Sequence, residues 1–227
     1  MITLADHEHR VEIADIRPHH PLVAPDPATA PTWYERHGKR LVDLAVAATL
    51  IVVLAPLMLA VMALARMSLG PGVILRQRRT GLHGRDFTMF KVRTMLADRR
   101  RFECRIDHPD RRMTHKSADD PRHTTLGRAL RRSCLDELPQ LFNVVRGDMS
   151  MVGPRPELAE IVDARLLRTH PRHGQRPGIT GAWQLGRRND GAHLHDCFDD
   201  ESPPTTLGSD IAMILATPRV MWRRAGS

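Results

Sequence analysis

Aromatic side chains are scarce: the chain holds three Trp, one Tyr and five Phe, 4% of its 227 residues. Single-stranded nucleic acid is gripped by aromatic platforms set among basic residues. That surface is largely missing, and no nucleic-acid-binding motif accompanies the Lys and Arg. Cysteine is equally sparse. Cys104, Cys134 and Cys197 are odd in number and far apart. The absence of a CxxC pair excludes a disulfide framework and a cysteine-based zinc site, and fits a reducing compartment. No internal repeat is present. Charge of either sign is missing from Leu44 to Ala65 (LAVAATLIVVLAPLMLAVMALA), where Thr49 is the only strongly polar residue. About 20 apolar residues suffice to cross a bilayer core as a helix. A cleaved signal peptide fits poorly, although Ala63-Leu64-Ala65 imitates a cleavage site. The run starts more than forty residues in and exceeds the usual apolar core of about 7–15 residues.

What is abundant is positive charge: 34 Lys and Arg against 26 Asp and Glu, a net +8. Such a balance favours anionic partners, whether nucleic acid, an anionic leaflet or phosphate-rich substrates, and composition alone does not choose among them. The apolar run is flanked by Arg36, Lys39 and Arg40 before it and by Arg66, Arg76, Arg78 and Arg79 after it. Basic flanks favour the cytoplasmic side, and here both are basic. A helix that breaks at Pro56 and returns to the same face explains this. A spanning helix with a tolerated proline is the other reading. Residue physics leaves both open.

Along the chain, residues 1–35 are polar and rich in Pro and His, the composition of a mobile cytoplasmic tail. The pair His19 and His20 reads as solvated. Residues 36–70 form the membrane element, ended by Gly70-Pro71-Gly72. Val73–Leu75 and Phe87–Val92 read as short strands around a turn at Gly81-Leu82-His83-Gly84. Met95–Pro121 is heavily charged, a solvated helix and loop. Leucine spacing returns on both sides of Asp136, and Asp136-Glu137-Leu138-Pro139 has the grammar of a helix start, with Gly147 placed as its stop. Glu157–Arg168 reads as a helix after Gly153-Pro154-Arg155-Pro156. Pro177-Gly178-Ile179-Thr180-Gly181 reads as a turn-rich loop, and Ile211–Arg224 as an interfacial or packing helix.

Adjacent carboxylates at a helix start suit phosphate chemistry, because free N–H groups favour anions and keep a carboxylate ionised. A divalent metal on the second acid would screen an incoming diphosphate. Arg128, Arg131, Arg132, Arg146 and Arg155 cluster around the pair in sequence. Taken alone, though, an Asp-Glu pair at a helix start is usually a cap. His193, His195 and Asp196 have a metal-like look with only generic spacing.

The surrounding segments are more specific. They are Lys39-Arg40-Leu41-Val42-Asp43, Gln77-Arg78-Arg79-Thr80-Gly81, Phe90-Lys91-Val92-Arg93-Thr94-Met95, Asp120-Pro121-Arg122 to Leu130-Arg131, SCLDELPQ (133–140), NVVRGDMSMVGPRP (143–156) and PGITGAWQ (177–184). Together they resemble the bacterial sugar transferase family, the monotopic polyprenyl-phosphate phosphoglycosyl transferases, over roughly residues 38–188 and weakly over 209–217.

The resemblance implies an α/β, mostly helical fold. A small catalytic domain (71–188) with a short β-hairpin is anchored by an N-terminal re-entrant membrane helix (36–70, broken at Pro56) and by amphipathic interfacial helices. A divergent segment with a terminal helix (189–227) follows. It implies Asp136 as nucleophile on a UDP-sugar, UMP release, an aspartyl-phosphosugar intermediate, and polyprenyl (undecaprenyl) phosphate as acceptor. That is ping-pong covalent catalysis by in-line phosphoryl displacement. Glu137 is implied as the Mg²⁺ ligand. Lys91, Arg93, Arg131 and Arg155 are the candidate phosphate contacts, and Gly178, Thr180, Gln184 and Arg187 the further substrate contacts. The implied location is the cytoplasmic leaflet of the bacterial inner membrane, with no nucleic acid and with a homodimer left open.

Several positions depart from the pattern. Thr124-Thr125-Leu126-Gly127 carries threonine where the family shows arginine, Cys134 replaces serine or threonine, and Ala55 precedes Pro56 in place of serine. The segment Asp190–Gly208 lacks the expected aromatic pattern, which leaves room for an altered or inactive family member. A non-enzymatic, membrane-anchored basic protein is the alternative of another class, one insensitive to Asp136.

Overall fold

The computed structural model describes residues 32–96, 122, 124–164, 166–186 and 205–225. The tail up to residue 31, the charged stretch 97–121 and most of the divergent segment, with Arg187, His193, His195 and Asp196, lie outside the described residues. A π-helical turn, Tyr34–Gly38, leads directly into α1, Lys39–Leu69. The strands are β1 (Ile74–Thr80), β2 (Asp86–Val92), β3 (Ser150–Val152), β4 (Glu157–Leu158) and β5 (Gly178–Thr180). The remaining α-helices are α2 (Thr125–Arg132), α3 (Gln140–Arg146), α4 (Ala159–Ala164), α5 (Ala182–Gly186) and α6 (Leu207–Ala225).

The first helix starts inside what composition assigns to the tail. Thr32 and Glu35 form a reciprocal cap: the Thr32 N–H donates to Glu35 Oε2 at 2.7 Å, and the Glu35 N–H donates to Thr32 Oγ1 at 3.2 Å. This spacing satisfies two of the backbone donors that a helix start leaves over. Gly70, at φ 77°, ends α1 as expected. The helix and its opening turn total 36 residues, long and apolar enough to cross a bilayer.

Pro56 lies within α1, so the expected break is not a break in secondary structure. A proline removes its own N–H from the ladder, but an apolar helix tolerates one such loss. The flanks of α1 are buried, at Asp43 and Ala47 and again at Val61, Ala65 and Leu69, whereas its centre exposes Val52 and Val53.

β1 and β2 form the expected hairpin, in antiparallel register from Ile74↔Val92 to Thr80↔Asp86. β1 runs on to Thr80 instead of stopping at Leu75. Its charged second half holds because β4 pairs with its other edge, Arg79↔Leu158 and Thr80↔Glu157. The chain after Pro156 is therefore strand before it is helix, and α4 ends at Ala164, short of Arg168. The turn-rich 177–181 segment is likewise a strand in part. β5 lies parallel to β3, with bare backbone against bare backbone: a Cβ on Gly178 would stand 2.1 Å from Gly153 N, and one on Gly181 2.3 Å from Gly153 O.

Two apolar cores result among the described residues. One joins Ala47 of α1 to Met89, Leu141, Val144, Met149, Met151 and Val152. The other joins Val61, Ala65 and Leu69 of α1 to Val92 and Leu130. Asn143, fully buried, ties α3 to β2. It donates to Thr88 O at 2.7 Å and accepts from the Phe90 N–H at 3.0 Å.

His173, buried in the 3₁₀ turn Pro171–Gly174, is pushed down from 6.5 to about 4. Burial is the main cause, followed by the charges of Arg172 and His170, with a hydrogen bond to the Gly81 backbone opposing them. Between pH 6.5 and 4 the unfolded chain takes up a proton that the folded one refuses, so stability falls as pH is lowered through that window. The loss amounts to about 3 kcal/mol. Chemical denaturation at pH 7 and pH 4.5 is expected to show this acid sensitivity in the wild type and a flatter dependence in His173→Gln.

Candidate active site

Cys134, at φ 55°, ends the run of α2, and the chain then makes a 3₁₀ turn, Leu135–Glu137. The Glu137 N–H reaches Cys134 O at 3.0 Å and the Leu138 N–H reaches Leu135 O at 3.4 Å. The two acids thus sit in a tight turn upstream of α3. They are not its cap: α3 begins at Gln140, Pro139 precedes it, and no side chain caps it. The expected acidic cap is corrected on this point. Asp136 is 6% exposed.

Glu137 forms one wall of a cleft whose other walls carry Arg79, Lys91, Gln140, Arg155, Gly178 and Gln184. Lys91 Nζ stands 2.9 Å from Glu137 Oε1, with the two side chains only 15% and 11% exposed. An ion pair so shielded from water interacts far more strongly than one on the surface. Lys91 is aimed there because residues two apart on a strand share a face, and β2 is fixed below by Met89 in the core and laterally by Asn143.

Of the anticipated contacts, Lys91, Glu137, Arg155, Gly178 and Gln184 come together around the cleft. Arg93 does not. β2 ends at Val92, and Arg93 Nη2 instead donates to Leu69 O at 2.5 Å and Gly70 O at 3.3 Å. It caps the negative end of α1. Arg131 lies on α2, outside the cleft lining. Thr180 is buried off the cleft, its hydroxyl 2.8 Å from that of Thr217 on α6. Asp136 adjoins the cleft through Glu137 without lining it. The other basic residue of this region, Arg40, caps α3 by donating to Val144 O at 2.7 Å and Val145 O at 3.0 Å.

A profile of the bacterial sugar transferase family matches residues 34–224. This chain belongs to that family. The transferase is 38% identical over 194 residues to the exopolysaccharide production protein ExoY of Rhizobium meliloti, spanning 79% of this chain and 83% of that protein. It is 43% identical over 151 residues to the UDP-glucose:undecaprenyl-phosphate glucose-1-phosphate transferase of Caulobacter vibrioides, 65% of this chain and 53% of that one. It is 34% identical over 200 residues to the undecaprenyl-phosphate galactose phosphotransferase of Salmonella typhimurium, 85% of this chain but only 42% of that longer protein.

The transferase's cleft also contains residues that sequence reasoning passed over. Arg79 is 8% exposed and donates to Pro156 O at 3.1 Å, so it holds the Arg155 turn while lining the cleft. Gln140 opens α3 just after the acids. Arg79 lay inside a quoted motif, but its neighbours Arg76 and Arg78 look identical in sequence, and only burial separates them.

Lys91 and Arg93 are expected to behave differently when changed. Lys91→Met removes a shielded cation from beside Glu137 and should cut turnover by more than about tenfold. Arg93→Met should lower the melting temperature and leave the KM for the sugar donor within about twofold, since it loses a helix cap. Steady-state kinetics and thermal unfolding on both variants check this.

Proposed function

We propose that the chain moves a sugar-1-phosphate from a UDP-sugar to undecaprenyl or a related polyprenyl phosphate, releasing UMP and starting extracellular polysaccharide or glycoconjugate synthesis. The observation that carries this reading is the Asp136–Glu137 pair set against Lys91 in a cleft lined by Arg79 and Arg155. The names of the relatives, which specify undecaprenyl phosphate as acceptor and, in one case, UDP-glucose as donor, support it.

In this reading Asp136 is the nucleophile. One carboxylate oxygen attacks the β-phosphorus of the donor in line. A P–O bond forms to Asp136 as the bond from the β-phosphorus to the bridging oxygen breaks, and UMP leaves with that electron pair. A phosphate oxygen of the polyprenyl phosphate then attacks the same phosphorus, and the bond to Asp136 breaks to regenerate the carboxylate. Lys91 and Arg155 hold the diphosphate oxygens, and Arg79 keeps the Arg155 turn in place.

Mg²⁺ suits these residues. Among the described residues no group of three carboxylate, His or Cys ligands exists, but Mg²⁺ characteristically takes one or two carboxylates and completes its shell with substrate phosphates and water. Glu137, with Asp136 beside it, offers that donor set. When bound there, the ion would neutralise diphosphate charge.

The membrane geometry follows the same logic. A helix crossing a hydrocarbon core of about 30 Å carries one flank away from a domain on the other side. Here both flanks of α1 pack on one domain while Val52, Val53 and Leu59 at its centre stay exposed. This supports a helix that enters and returns through one leaflet with Pro56 near its deepest point. The basic flanks favour the cytoplasmic one.

With detergent-solubilised protein, Mg²⁺, undecaprenyl phosphate and a panel of UDP-sugars, UMP is expected from at least one donor, sustained only when the lipid is present. Asp136→Asn removes charge with little change of volume and should lower the rate by at least about 10³-fold. UMP formation that survives the substitution overturns the assignment of the nucleophile.

A further inference from the structure

Gln184 differs from the rest of the cleft wall. Lys91, Arg79 and Arg155 are donors, suited to phosphate oxygens. Gln184 is 7% exposed, and its Oε1 is buried without a hydrogen-bond partner. That oxygen packs beside Gly181, where a Cβ would stand 2.9 Å from it, so the bare glycine gives the amide its place. The residue sits on the short α5 and lines the cleft with Gly178 and Ile179 of β5.

A buried acceptor left unpaired is unfavourable until a donor reaches it. A phosphate oxygen cannot serve, being itself an acceptor at neutral pH. The matching chemistry is an N–H or O–H donor on an uncharged part of the ligand. If the ligand is a UDP-sugar, three kinds of donor exist: the imide N–H of uracil, the 2′- and 3′-hydroxyls of the ribose, and the hydroxyls of the transferred sugar.

Resting on the transfer reading above, we infer that Gln184 is a specificity-determining residue whose amide oxygen accepts a hydrogen bond from the uncharged part of the nucleotide-sugar. The cations hold the diphosphate irrespective of what it carries, and Gln184 selects what is attached to it. Sites built to hydrogen-bond a substrate group reject analogues lacking that group, because a buried partner is then left unpaired.

The test uses the whole protein in detergent, with UMP, N3-methyl-UMP, 2′- and 3′-deoxy-UMP, the active UDP-sugar and its sugar-deoxy analogues as probes. If the imide or a ribose hydroxyl is read, N3-methylation or the matching ribose deoxygenation weakens UMP binding by about tenfold or more in the wild type. Gln184→Leu then weakens UMP binding equally, and the two changes together do no more than either alone. If a hydroxyl of the transferred sugar is read, UMP binding is unchanged, while KM for the UDP-sugar rises about tenfold in Gln184→Leu and for one deoxy analogue with the wild type, again without adding. The analogue arms use wild-type protein and hold even if the variant folds poorly. Wild-type turnover that is indifferent to Gln184→Leu and to every analogue overturns this inference alone, as do effects that simply add. A wild-type protein that neither binds UMP nor uses any UDP-sugar overturns the transfer reading and this inference with it.

Discussion

Burial of the two flanks of α1 against a small domain is the constraint from which the other features follow. Each apolar core takes part of its substance from that helix: Ala47 in one, Val61, Ala65 and Leu69 in the other. The short strands and α2 to α5, helices of five to eight residues, have too little apolar surface to close a core among themselves. β2 contributes Met89 to the first core and Val92 to the second, and Lys91 projects from the backbone held between them. The position of the cation on Glu137 is thereby set by the packing of α1.

Polar contacts at the opening of α1 extend the same coupling. Asp43 accepts from Ser150 Oγ at 3.0 Å and from the Met151 N–H at 2.9 Å, fixing β3, which carries β5 and one edge of the cleft. Lys39 Nζ and Tyr34 Oη both reach Asp210 Oδ2 on α6, at 2.6 and 2.7 Å. At the other end Arg93 grips the last carbonyls of α1. Charged side chains clustered around an apolar helix thus divide into two uses. Lys91 and Arg155 face the cleft, while Arg40 and Arg93 neutralise helix ends, where cations are favourable.

Much of this division was legible before the structure, but unevenly. Glycine stops at Gly70 and Gly147 and the hairpin are local signals, and each appears where its own residues place it; the acidic pair opens a tight turn and not the helix its spacing suggests. The Thr32–Glu35 cap was equally local and was overlooked because the surrounding composition reads as a tail. The errors elsewhere share a cause: they depend on partners far away in the chain. β4 and β5 are strands of two and three residues, too short for any periodicity, and exist because β1 and β3 offer them an edge. Arg93 continues the alternation of β2 in sequence, but the strand stops one residue earlier and the side chain finds helix carbonyls. Thr124, which stands where the resemblance expects arginine nearby, accepts from the Gly127 N–H at 3.0 Å and caps α2, so the departure has a structural use. Arg79 and Gln140 carry no mark in sequence that sets them apart from exposed neighbours.

The central claim is that Asp136 carries the sugar phosphate covalently, and it is tested most directly by intact-protein mass spectrometry after incubation with the active UDP-sugar in the absence of polyprenyl phosphate. The expected mass gain is that of one phosphosugar group, a sugar phosphate less one water. That gain maps to the peptide containing Asp136, is lost on adding the lipid acceptor, and is absent from Asp136→Asn. An unmodified protein that nevertheless transfers the sugar phosphate once lipid is supplied, or an adduct that persists in Asp136→Asn, would contradict it.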